Sequence, residues 1–140
     1  MLIESRPALD PELAALVAAQ QRELAEAGAG AGAIFEPDDD VAYLLGVVNG
    51  RAVACAAWRA REHGTAELLR MYVRPAYRGR GLARQLIVAV EEEVLAAGRP
   101  VIRLETDLPA AIALCQSSGY RQVGAGTRFE KSLPAVAPVS

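Results

Sequence analysis

The sequence predicts a mixed α/β (α+β) domain built on one mostly antiparallel sheet with helices packed on it. Three observations carry this. Asn49-Gly50 separates two apolar runs, the strongest short-range signal for a β-hairpin. Leu82, Leu86, Val90 and Val94, with Ile87 alongside, recur at helical spacing between two strand-like runs. The whole chain reads strand–helix–three strands–helix–strand–helix–two strands, and 140 residues suffice for one core but not two.

Leu2 to Ser5 is a short strand. Asp10-Pro11 supplies an N-cap followed by proline at the first helical position. Leu13, Leu16, Val17, Gln20 and Leu24 then carry a helix to about Ala27, which Gly28-Ala-Gly-Ala-Gly32 ends. Gly28 to Asp40 is read as a connection. Ala42 to Val48 and Arg51 to Ala60 form the hairpin, and a turn at Glu62-His-Gly64 leads into a third strand, Ala66 to Val73. A helix over Leu82 to Ala97 is stopped by Gly98 and Pro100. Val101 to Thr106 is a strand, reached by a right-handed crossover if it runs parallel to the third. Pro109 to Ser118 is a short helix, and Tyr120 to Val123 and Thr127 to Leu133 make a final pair of strands. One domain is expected over residues 1–134, with a flexible tail at 135–140.

Apolar residues make up 52% of the chain and charged residues 23%, which is globular composition. A net charge of −2 gives no broad footprint for nucleic acid, and Trp58 and Tyr43 make no stacking platform. No apolar run is long enough to cross a bilayer and no leader pattern opens the chain, so a cytoplasmic protein is expected. Cys55 and Cys115 are too few for a disulfide framework, and His63 has no metal-ligand companions at ligand spacing. No serine has a base partner for a triad.

Chemistry concentrates in Val73-Arg-Pro-Ala-Tyr-Arg-Gly-Arg-Gly-Leu-Ala83. This Gly- and Arg-rich turn lies between a strand and the N-terminus of a helix, where unpaired N–H groups favour an anion. Arg70, Arg74, Arg78, Arg80 and Arg84 cluster around it. No Gly-Lys-Ser/Thr follows, so it is not a Walker loop, and a single Gly-x-Gly does not complete a dinucleotide fingerprint. The run Arg78-x-x-Gly81-x-Ala83 resembles the acetyl-CoA pyrophosphate loop of the Gcn5-related N-acetyltransferases (GNAT), and the element order agrees from Leu2 to Leu133.

The resemblance implies a sheet in which a parallel pair of strands splays apart. It implies that Met71, Tyr72 and Val73 hydrogen-bond the pantetheine arm of acetyl-CoA, with Arg78, Gly79, Arg80, Gly81, Leu82 and Ala83 wrapping its pyrophosphate. It implies acetyl transfer to a primary amine of a small molecule or peptide by direct attack, with no nucleic-acid or membrane partner; a homodimer is compatible with it. Glu67 matches a glutamate that in several members deprotonates the amine. Glu67 is also in period-two register with Leu69, Met71 and Val73, so unless a bulge resets that phase it should face the interior, where desolvation raises a carboxylate's pKa. Its alternative is a structural carboxylate paired to Arg70 or Arg103.

Ala111-Ile-Ala-Leu-Cys-Gln-Ser-Ser-Gly-Tyr120 matches the family's later helix except at Cys115, where a tyrosine usually protonates the departing thiolate. Packing is the default role of such a cysteine, leaving water, Ser117, Ser118 or Tyr120 as proton sources. Asp107-Leu-Pro109 is short for this connection and carries no asparagine, a residue that often holds the pantetheine there. Two further readings remain: a non-catalytic acetyl-CoA/CoA-binding module of the same fold, and a nucleotide-phosphate binder of another fold.

Overall fold

A computed structural model describes residues 1–28 and 40–133. Most of the connection between Gly28 and Asp40, and the tail from 134 on, lie outside the described residues. Seven strands form one sheet: β1 (Leu2–Arg6), β2 (Val41–Val48), β3 (Arg51–Ala60), β4 (Thr65–Val73), β5 (Val101–Glu105), β6 (Arg121–Gln122) and β7 (Arg128–Ser132). Their order is β1-β2-β3-β4-β5-β7-β6, antiparallel throughout except for the parallel pair β4 and β5. The helices are α1 (Pro11–Glu26), α2 (Leu82–Ala96) and α3 (Pro109–Ser117). None of them is long and apolar enough to cross a membrane.

Local chemistry explains the boundaries. Asp10 caps α1, its Oδ2 accepting the Leu13 N–H at 3.0 Å ahead of Pro11. Arg6 reaches the same carboxylate at 3.0 Å and also pairs with Glu4 and Glu12. Asp10→Ala is therefore expected to cost about 1 kcal/mol of stability, read as a lower denaturant midpoint at unchanged slope. Asn49 and Gly50 have φ of 52° and 77°, and His63 and Gly64 have 50° and 72°. Two consecutive left-handed residues give the twist that joins right-handed strands.

The sheet is buried on both faces. α1 lays Leu13, Leu16 and Val17 on Tyr43, Leu45, Cys55, Ala57 and Tyr72. On the other face, the predicted stripe of α2, together with Cys115 and Tyr120, covers Val53, Ala54, Leu68 and Ile102. Alanine and cysteine at 52 and 54–57 keep β3 thin, so helices approach it closely from both sides.

Two irregularities in β4 create the site. Its parallel pairing with β5 lasts only for Thr65, Ala66 and Glu67, opposite Val101, Ile102 and Arg103. Beyond Glu67 the strands separate while β5 continues along β7. On the β3 side, Cys55 faces Tyr72 but Ala57 faces Leu69, so β4 carries an extra residue. Arg70 takes it up at φ 52°, and the Cys55 thiol donates to the Arg70 carbonyl at 3.3 Å.

Candidate active site

The splay leaves β4 with backbone groups that no strand takes up. Arg74 donates its N–H to Val53 of β3 at 2.9 Å, so the Val73 carbonyl, in the same peptide unit, points away from β3. Antiparallel alternation places Tyr72 opposite Cys55 in the same sense and turns the Met71 carbonyl to the open side as well. Two side chains meet these carbonyls. Gln20 Nε2 of α1 donates to Met71 at 2.9 Å, and Arg78 Nε donates to Val73 at 2.9 Å.

β4 leads through a single 3₁₀ turn (Pro75–Tyr77) into the glycine loop. Gly79 and Gly81 have φ of 80° and 77°, and Gly81 is the N-cap of α2. The first bond of α2 runs from the Gln85 N–H to Gly81. The N–H groups of Leu82, Ala83 and Arg84 therefore have no partner within the helix. Among the described residues, no backbone carbonyl takes the N–H groups of Gly79, Arg80 and Gly81 either. A Cβ added at Gly79 or Gly81 would meet no protein atom within 4 Å. The loop is thus an open cradle of donors at the positive end of a 15-residue helix.

Edge and loop line one cavity of about 600 Å³, within the range of small-molecule sites. α1 and its C-cap contribute Gln20, Glu23, Leu24 and Ala27; α3 and its approach contribute Leu108 to Ala111 and Leu114. Arg78 braces the loop. Its guanidinium pairs with Glu23 at 2.7 Å and lies over the Tyr72 ring at 5.6 Å. That bond holds the Glu23 carboxyl below its ordinary range, so the tie is present above the usual carboxylate pKa and is lost as pH falls through the lowered one. Arg80 stacks over Tyr77 at 5.1 Å, and Arg84, which lines the cavity, donates to the Ser117 hydroxyl at 2.8 Å.

The acetyltransferase (GNAT) family profile matches residues 9–120. The chain belongs to that family. An "IAA acetyltransferase" of Azospirillum brasilense is 35% identical over 88 residues, which is 61% of this chain and 58% of that protein. The chain thus spans little more than half the length of this relative. The crystal structure of a putative acyl-CoA N-acyltransferase from Klebsiella pneumoniae superposes with a TM-score of 0.77 at 29% identity, covering 94% of this chain and 97% of the other. A PaiA N-acetyltransferase from Thermoplasma acidophilum, solved in complex with coenzyme A, shares the fold with a TM-score of 0.71 at 18% identity, covering 94% and 99%. The expected GNAT architecture, with its mostly antiparallel sheet and one splayed parallel pair, is the one observed.

Met71, Tyr72, Val73, Arg78, Gly79, Gly81, Leu82 and Ala83 all line the cavity, and Arg80 stands between two of them. Glu67 is placed differently. It does share a face with Leu69, but the extra residue at Arg70 turns Met71 and Val73 to the opposite face, toward α2. Its ion pair is with Arg59, directly across on β3 at 2.9 Å, while Arg103 pairs with Glu62. Its side chain is 17% exposed, and it does not line the cavity.

Cys115 is buried in the α2-side core, where desolvation pushes its thiol up, and it too is absent from the cavity wall. Tyr120 donates to Glu91 at 2.8 Å beside Lys131, and burial, then that bond, pushes its phenol far above its usual value. It makes a poor proton source. Cys115→Ala is accordingly expected to leave turnover nearly unchanged while costing about 1 kcal/mol in packing. Kinetics and a melt on the same sample separate the two effects.

Glu23 is a site residue that sequence reasoning passed over. Gln20 is the polar member of the α1 stripe, and a polar residue on an otherwise apolar face is itself a signal.

Proposed function

We propose that this chain is an acetyl-CoA-dependent N-acetyltransferase that acylates a primary amine of a small molecule or peptide by direct attack. The observation that carries this reading is the edge of β4 left without a strand partner, leading through one 3₁₀ turn into the donor cradle at the start of α2. The backbone N–H groups of Met71 and Val73, with the Met71 carbonyl, suit the amides of a pantetheine arm laid along that edge. The N–H groups from Gly79 to Arg84 suit its pyrophosphate. The cofactor brings an acetyl group activated as a thioester; the chain positions it and offers an N–H near Met71 to its carbonyl oxygen.

The positions of the thiols support direct attack. Neither Cys55 nor Cys115 lines the cavity, and burial pushes the Cys55 thiol up to about 12. An acetylated cysteine would need a thiolate at the cleft. Among the described residues Glu23 is the one carboxylate on the cavity wall, and Arg78 makes it a weak base. Glu67 is the carboxylate this reading assigns to amine deprotonation, acting from the α1 side of the sheet.

The pairing of Glu67 with Arg59, off the cavity, favours a second reading: a non-catalytic acetyl-CoA/CoA-binding module. The two part on one experiment. Acetyl-CoA is supplied with a panel of amines, aminoglycosides and peptide N-termini, and release of free thiol is followed. Amine-dependent release with at least one class supports the enzyme. Binding of acetyl-CoA with no release across the panel supports the module.

A further inference from the structure

We propose that Gln20 is an internal competitor for the acyl donor: its carboxamide occupies the open edge of β4 in the free protein and must leave when a ligand amide takes that place. The inference rests on the acyl-donor reading of the cavity above.

The carboxamide orientation is fixed by chemistry. Met71 presents a carbonyl, which only accepts, so the nitrogen of Gln20 must face it, at 2.9 Å. That leaves Oε1 turned away, and among the described residues this buried oxygen has no partner. A buried acceptor without a donor is costly. Gln20 therefore sits half-satisfied, with one good bond made and one lone acceptor stranded. The Met71 carbonyl needs a donor because β5 has splayed away, and Gln20 is that donor, reaching from α1 across 51 positions of sequence.

Arg78 does the corresponding thing at Val73, two residues along the same edge, but its situation differs. It is also paired with Glu23 at 2.7 Å and stacked on Tyr72, so three contacts hold it in place. Among the described residues, Gln20 has the one bond to Met71 and an unmet acceptor. Of the two caps, Gln20 is the one built to yield. A secondary amide in the arriving arm carries the same N–H donor that Gln20 supplies, so the exchange conserves the hydrogen bond to Met71. The displaced carboxamide then reaches solvent in the cleft, where Oε1 finds donors.

The test uses the full chain and acetyl-CoA itself. Gln20→Met keeps the length of the side chain without the donor, and Gln20→Ala removes the side chain from an exchangeable helical position. Both are expected to bind acetyl-CoA about three- to tenfold more tightly than wild type, the size of one net hydrogen bond, mainly through faster association. In ¹⁵N-labelled wild type, the side-chain amide pair that disappears in the Gln20→Met spectrum should move toward solvent-like shifts as acetyl-CoA is added. Unchanged or weaker binding by both variants overturns the proposal, as does a Gln20 amide pair that stays in place at saturation. If wild type itself fails to bind acetyl-CoA, the acyl-donor reading falls and this inference with it. Wild-type binding without tighter binding by the variants sinks this inference alone.

Discussion

Gly81→Val is expected to abolish the thermal stabilisation that acetyl-CoA gives the wild-type protein. At saturating ligand that stabilisation is about 2.7 kcal/mol when the concentration is 100 times the dissociation constant, since only the folded chain binds. Valine acts against the site twice. Gly81 has φ of 77°, a conformation that a β-branched residue reaches only with strain. Its Cβ would also project into space where no protein atom lies within 4 Å, which on this account is the space for the pyrophosphate. Relief of the strain would swing the Leu82 and Ala83 N–H groups out of line as well. The variant should still fold, because the buried stripe from Leu86 to Val94 is untouched. A folded variant with undiminished stabilisation by acetyl-CoA would remove the loop from the binding site.

The second large effect is expected at Glu67. If its carboxylate takes the proton from the amine, Glu67→Gln should lower kcat by roughly 10²–10⁴ while acetyl-CoA affinity stays within about twofold. The rate should also lose its ascending limb against pH, because the amide does not titrate. The ion pair with Arg59 sets the counter-expectation. A carboxylate held at 2.9 Å by a guanidinium that is 39% exposed contributes under about 1 kcal/mol to stability. A purely structural Glu67 would therefore give a Gln variant with nearly full activity and a slightly lower melting temperature. Arg59→Ala separates the two roles further. A base freed from its partner should keep turning over.

Much of this fold is local chemistry, and that part was legible from residues. Asn49-Gly50 specified a hairpin because its left-handed pair has few alternatives, and Asp10-Pro11 specified a helix start in the same way. The α2 stripe, every member of which is buried, followed from period alone. The glycine loop was readable because its setting, strand before and helix after, is short-range.

What escaped was set by pairing across the sheet. Nothing in Leu68-Leu-Arg-Met71 marks Arg70 as a left-handed residue; the bulge appears only when β3 and β4 are laid in register. One extra residue there reverses the faces of Met71 and Val73 relative to Glu67. Arg59 was invisible as the partner of Glu67 for the same reason, since only the register puts them opposite each other. Glu23 reaches the site because α1 crosses that face of the sheet, a tertiary fact. The connection from Gly28 to Asp40 lies almost wholly outside the described residues.

Amide hydrogen exchange along β4 tests the central claim most directly. On this account Tyr72 and Arg74 are bonded to β3 with or without ligand, whereas the N–H groups of Met71 and Val73 face the splayed side. Saturating acetyl-CoA should slow exchange at Met71 and Val73 strongly, by roughly tenfold or more, together with Gly79 to Ala83 in the loop. Tyr72 and Arg74 should change little beyond the global increase in stability. Binding of acetyl-CoA with no added protection at Met71 and Val73 would contradict the account, because the ligand would then lie somewhere other than the open edge of β4.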